Sequence, residues 1–108
     1  MFKHISPYIS SADYAVANLE TTLCGLNNGY AYSGYPCFNC PDEIIDGAKN
    51  AGFDMLLTAN NHSYDTRYKG MTRTLEIIDE KNLDRLGIVK NEEEKNYIVK
   101  KKIRILLV

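Results

Sequence analysis

The sequence predicts an α/β fold, mainly parallel strands alternating with helices. Three observations predict it. Two short apolar runs, Tyr14–Asn18 and Phe53–Leu57, read as buried strands. Helical patterns with recognisable ends lie between and after them, so strand, helix, strand, helix, strand follow in succession. Each of the two runs also ends in a cluster of polar residues, Asn18 to Thr22 and Asn60 to Asp65.

The elements come in this order. Ser6-Pro7 reads as an N-cap followed by a proline at the first helical position, giving a short helix to Ser11 with Ile5, Tyr8 and Ile9 on its apolar side. Tyr14–Asn18 is the first strand. From Cys24 to Cys40 the chain carries Gly25, Gly29, Gly34, Pro36, three tyrosines and the asparagines Asn27, Asn28 and Asn39, a long irregular loop. Such loops are functional or mobile, and this one is expected either to line a substrate groove or to pack on the surface. Pro41 is expected to open the second helix, with Asp42 and Glu43 in its first turn, where the helix dipole favours acids. Ile44, Ile45 and Ala48 form its stripe, and Gly52 ends it. Phe53–Leu57 follows as a strand. A helix starting near Tyr68 carries Met71, Thr74, Leu75 and Ile78 on one side and extends to Asn82-Leu83. Leu86–Val89 reads as a short strand and Glu92-Glu93-Glu94 as a charged turn. Tyr97–Val99 and Ile103–Val108 read as strands joined through Lys100 to Lys102, a hairpin.

Composition fits one small domain: 108 residues, 44% apolar, 25% charged. A net charge of −1 gives no electrostatic case for nucleic acid or an anionic membrane as partner. No apolar stretch approaches transmembrane length, and Met1-Phe2-Lys3-His4 lacks the apolar region of a signal peptide. By itself the chain is therefore expected to be soluble and not exported. Cys24, Cys37 and Cys40 are too few for a structural zinc site despite the spacing of Cys37-Phe38-Asn39-Cys40. Free loop cysteines are the simpler reading, while an extracellular parent would admit a disulfide from Cys24 to Cys37 or Cys40.

Right-handed crossovers bring both polar clusters to the C-terminal edge of the sheet, where open α/β sheets bind ligands. Glu20 there is either a carboxylate ligand or acid/base group, or a loop residue bonding the hydroxyls of Thr21 and Thr22; on its own the second is simpler. Asn61 offers a carbonyl to a hard or borderline metal, and His62 a ligand or proton donor. Asp65, three residues on, can hold the second ring nitrogen of His62 and fix its tautomer. The structural alternative is an Asx-type turn at Asn60 and Asn61, with Asp65 or Thr66 capping the next helix. The start of that helix, with Arg67 and Lys69, favours an anion such as a phosphate or carboxylate. Ser63 beside His62 is not a nucleophile–base pair, and no phosphate-binding glycine loop occurs.

Ala17–Leu23, Ala51–Asp54 and Ala59–Asp65, with Gly70 and Thr74 beyond, resemble the CapA capsule-synthesis family of bacterial poly-γ-glutamate biosynthesis. That family is similar to calcineurin-like metallophosphoesterases, four-layered α/β sandwiches with a dinuclear metal centre. The resemblance implies a partial metallophosphoesterase-like sandwich in which Glu20 and Asn61 are ligands of divalent metal ions. It makes His62 the group that steadies or protonates a reacting phosphoryl and Asp65 its support, with Asn18, Asn60 and Arg67 facing substrate or anion. It further implies an anionic polymer or phosphorylated substrate, other capsule-synthesis proteins as partners, and a membrane-associated, extracytoplasmic setting. The family's first strand, ending in Gly-Asp, has no counterpart here, since no Gly-Asp dipeptide occurs. The later histidine motifs are missing as well. Residues 1–108 are therefore expected to be one incomplete domain, inactive alone. The alternative is a non-catalytic assembly or polymer-binding module.

Overall fold

A computed structural model describes residues 2–26, 31–35, 37–90 and 105–107. Its elements are α1 (Ser6–Ser10), β1 (Tyr14–Asn18), α2 (Glu43–Ala51), β2 (Met55–Leu57), α3 (Arg67–Glu80), β3 (Asp84–Leu86) and β4 (Ile105–Leu107). The four strands form one sheet in the order β3-β2-β1-β4, and every neighbouring pair is parallel. The α/β architecture is thus the one the alternation of patterns predicts. The expected turn at Glu92–Glu94, the strand at Tyr97–Val99 and the hairpin through Lys100–Lys102 lie outside the described residues.

The first two crossovers, β1 to β2 through α2 and β2 to β3 through α3, step in the same direction along the sheet. Crossovers of one hand then lay their helices on one face. Ile45 of α2 and Ile77 and Ile78 of α3 accordingly share a cluster with Leu19, Leu23, Leu56 and Leu83. Ile9 of α1 joins Ala15, Ala48, Ala51 and Phe53 in a second cluster on that side. The side chains of alternate strand residues point the other way. There Tyr14, Val16 and Met55 are buried, with Leu57 and Leu86 beside them, and no described helix contributes to that group.

Several boundaries differ from the sequence reading, each for a local reason. Pro41 precedes α2, and Asp42 is its N-cap without a side-chain capping bond. The Asp42 carboxylate instead accepts two bonds from Arg73 of α3, at 2.7 Å each, while Arg73 also donates to the Leu23 carbonyl at 2.6 Å. One guanidinium therefore ties α3 to the start of α2 and to the loop after β1. The third helix stops at Glu80 because Asn82 takes a left-handed conformation, φ 59°, which drops Leu83 into the core. β3 lies upstream of the expected Leu86–Val89. Its ladder pairs Asp84 with Met55 and Leu86 with Leu57. It ends at Gly87, φ 127°, where a Cβ would lie 2.7 Å from the Ala59 nitrogen. Only a glycine passes that close to the exit of β2.

At the opposite, N-terminal edge, the Tyr14 hydroxyl donates to the Asp84 carboxylate. Burial raises the Tyr14 phenol above its ordinary value, and the bond to Asp84 and the charges of Asp84 and Asp54 add to the rise. A raised acid favours the fold while it stays protonated. This contribution is complete below the unfolded-state value of about 10 and is lost as pH rises from there toward the higher folded value. Urea denaturation across that alkaline range is expected to show wild-type stability declining, and Tyr14→Phe is expected to flatten the decline.

Candidate functional site

β1 and β2 leave the sheet together. The backbone amide of Leu19 still donates to the Leu57 carbonyl at 2.9 Å, one residue past the end of β1. The two polar clusters therefore emerge side by side. The residue that joins them is Asn60. Its carboxamide nitrogen donates to Asn18 Oδ1 at 3.1 Å and to the Leu19 carbonyl at 2.8 Å. Its carboxamide oxygen accepts from the backbone of His62 at 3.0 Å, closing an Asx turn. Ser63 finishes the turn by accepting from the Asn60 amide at 2.9 Å and donating to the Thr58 carbonyl. So the Asx turn forms at Asn60, and the same side chain fastens the two strand exits together.

The turn sets His62 facing Asp65. His62 Nδ1 lies 2.8 Å from Asp65 Oδ2, and both side chains are only 13% exposed. An ionised carboxylate only accepts, so Nδ1 carries a proton, and in the neutral ring Nε2 is the nitrogen with the free lone pair. The same Asp65 oxygen accepts from the Phe38 amide at 2.7 Å. The Phe38 ring meets the imidazole edge to face, centroids 4.3 Å apart at 71°. Phe38 belongs to the long loop, which Asn39 holds in place. Asn39 is buried, accepts from the Cys24 amide at 2.8 Å, and donates to the carbonyls of Gly25 and Ala31.

Asp65 is thus not a helix cap, and Thr66, though it stands at the N-cap of α3, makes no capping bond either. The Thr66 hydroxyl donates to Thr22 Oγ1 at 2.8 Å, and Thr22 donates in turn to the Phe38 carbonyl at 2.7 Å. Both threonines are buried. About two turns along α3, Thr74 accepts from the Leu23 amide at 2.8 Å and donates to the Gly70 carbonyl at 2.7 Å. The residues that followed the first polar cluster in sequence are therefore bolted to the start of α3. Arg67, the first residue of α3, is exposed and holds φ 62°, an uncommon conformation for a residue other than glycine. Arg67 is a cationic residue at the helix N-terminus, where an anion would be favoured.

Glu20 and Asn61 are exposed. The expected bonding of Glu20 to the hydroxyls of Thr21 and Thr22 does not occur: Thr21 donates to the Thr22 carbonyl at 3.2 Å, and Thr22 to Phe38. Glu20, Asn18 and Thr21 border a cleft of about 440 Å³ whose apolar wall includes Leu19, Phe38 and Ile44. Among the described residues no three His, Cys, Asp or Glu side chains converge to hold a metal ion. Glu20 and Asn61 could each give one oxygen, and His62 has Nδ1 committed to Asp65. These donors alone do not make a metal centre. The three cysteines form no disulfide, with Cys24 buried and Cys37 exposed.

Phe38, Thr22 and Arg73 are the residues of this region whose roles the sequence did not disclose. The only sequence signal near Phe38 is the cysteine pair around it, which points to metal chemistry rather than to His62. The expected placement of Asn18, Glu20, Asn60, Asn61, His62, Asp65 and Arg67 along one edge agrees with the geometry. Direct bonds join only Asn18 to Asn60 and His62 to Asp65 among these side chains.

A family model described as bacterial capsule synthesis protein PGA_cap matches residues 1–108. The chain is 32% identical over 101 residues to the capsule biosynthesis protein CapA of Bacillus anthracis, covering 92% of this chain and 25% of that protein. It is 28% identical over 87 residues to the PGA biosynthesis protein CapA of Bacillus subtilis (strain 168), covering 81% and 23%. An uncharacterized protein of Sinorhizobium fredii, y4sH, is 33% identical over 92 residues, covering 81% and 20%. The chain thus spans a quarter or less of the length of these curated relatives.

Proposed function

The chain belongs to the bacterial capsule synthesis family, PGA_cap, and from that premise we propose that the protein acts in capsule or poly-γ-glutamate biosynthesis through a site at the C-terminal edge of its sheet. The observation that carries the reading is the joining of the two polar clusters: Asn60 bonded to Asn18 and Leu19, with His62 held by Asp65 in the next turn. The names of two Bacillus relatives support the process.

In this reading the site is phosphoesterase-like. His62, oriented through Nδ1, uses Nε2 to take or give a proton at a reacting oxygen. Arg67 and the start of α3 attract the phosphoryl or carboxylate groups of an anionic polymer or phosphorylated substrate. Glu20 and Asn61 are partial ligands for a divalent ion, whose remaining donors must come from outside the described residues. The setting proposed is membrane-associated and extracytoplasmic, with other capsule-synthesis proteins as partners.

The test is polymer formation by cells whose natural full-length protein carries His62→Ala. At matched abundance, polymer is expected to fall at least about 10²-fold, the range a general acid–base group supplies.

A second reading is favoured by the exposure of Leu26, Tyr32 and Tyr35, at 58%, 45% and 86%. It makes the long loop a non-catalytic holder of polymer or partner. Full polymer yield from His62→Ala, with loss on trimming the loop, would select it.

A further inference from the structure

We propose that Phe38 is a positioning residue for His62, coupling the long loop to the reactive edge; this deepens the reading of His62 and Asp65 given above. Phe38 is gripped at both ends of its backbone by the two polar clusters. Its carbonyl accepts from Thr22 Oγ1 at 2.7 Å, and its amide donates to Asp65 Oδ2 at 2.7 Å. Its ring closes on the imidazole edge to face at 4.3 Å. These contacts act on one degree of freedom. The amide holds the Asp65 oxygen where Nδ1–H meets it, and the ring blocks rotation of the imidazole about its own axis. Thr66 and Thr22 are both buried and bonded to each other, so the Thr22 hydroxyl is held in place where it donates to the Phe38 carbonyl.

An imidazole with no fixed partner exchanges its proton between the two nitrogens. One clamped against Asp65 keeps it on Nδ1 and leaves Nε2 free to act. A loop residue that merely packs would not affect this balance. A loop residue that positions the ring would.

The experiment uses the natural full-length protein labelled with ¹⁵N-histidine, the His62 signals being identified by their absence in His62→Gln. At a pH where the ring is neutral, wild type is expected to show an Nδ1-protonated, Nε2-unprotonated pair of nitrogen shifts. Phe38→Ala is expected to move both shifts toward the exchange-averaged values of a free imidazole, and Phe38→Tyr, which keeps the ring, to restore them. If Phe38→Ala does not fold, Phe38→Leu keeps the apolar volume without the aromatic edge and is expected to show the same averaging. Wild-type shifts in a folded Phe38→Ala or Phe38→Leu protein overturn the proposal. The tautomer is read without any turnover, so its outcome is separate from polymer formation. Loss of polymer in His62→Ala with unchanged tautomer in Phe38→Ala would retain the site and dismiss Phe38.

Discussion

Replacing Gly70 by alanine is expected to destabilise the protein by roughly 2–3 kcal/mol, although alanine is the better helix former. Two effects of opposite sign compete. Alanine in a helix interior gains about 1 kcal/mol over glycine. Against this, a Cβ on Gly70 would lie 1.7 Å from Thr66 Oγ1, 2.5 Å from Thr66 Cβ and 3.3 Å from Cys24 Cβ. Turning the Thr66 hydroxyl aside relieves the Oγ1 contact but breaks its bond to Thr22, and the Cβ contact further requires the backbone to shift; both residues are buried. Overpacking of that kind costs about 1–3 kcal/mol, and an orphaned buried hydroxyl about 1–3 kcal/mol more. The steric side therefore wins. Urea denaturation of Gly70→Ala, Thr66→Ala and the double variant gives the measurement. The two changes are expected to be less than additive, because Thr66→Ala removes the Oγ1 that the new methyl would meet at 1.7 Å while leaving the Cβ contact at 2.5 Å. An increase in stability for Gly70→Ala would mean that α3 is not fastened to the Thr22 segment in this way.

Asp65 is expected to separate stability from function. Its Oδ2 accepts from the Phe38 amide and faces His62 Nδ1. Asp65→Ala leaves both groups without that acceptor, at a cost of about 1–3 kcal/mol and with loss of function. Asp65→Asn retains an oxygen in nearly the same place, so most of the stability should remain. It removes the negative charge that orders the imidazole. Loss of a group that orients a reactive histidine in this manner typically costs 10- to 100-fold in activity. Denaturation midpoints and polymer yield, measured on both variants, are expected to show alanine failing in both and asparagine failing only in yield. Full yield from Asp65→Asn would make Asp65 a loop fastener alone.

The parts of this structure written in local pattern were legible. Tyr14–Asn18 is an uninterrupted apolar run ending in polar residues, and β1 has those bounds. The turn at Asn60 follows from the asparagine's own side chain bonding two residues ahead, a local bond. The pairing of His62 with Asp65 is also local, three residues apart. What the chain did not disclose depends on partners far away in sequence. Thr66 reads as a cap until Thr22 arrives beside it. The β3 boundary depends on register with β2 and on the approach of Gly87 to Ala59, so the apolar Leu86–Val89 was a poorer guide than the pairing of Asp84 with Met55. Phe38 lies between two cysteines that draw attention to themselves, and its contacts with Thr22, His62 and Asp65 span 16 to 27 positions. Of the expected ligands, Glu20 and Asn61 carry no local bond that could have placed them, and they remain exposed at the edge.

The claim on which the rest depends is that function lies where β1 and β2 leave the sheet. The most direct measurement is capsule polymer formed by cells carrying His62→Ala, Glu20→Ala or His4→Ala in the natural full-length protein, at equal protein abundance. His4 is an exposed histidine that does not line the cleft beside Glu20 and serves as the control. The expected result is loss of polymer with His62→Ala and Glu20→Ala and wild-type yield with His4→Ala. Wild-type yield from both edge variants would contradict the account.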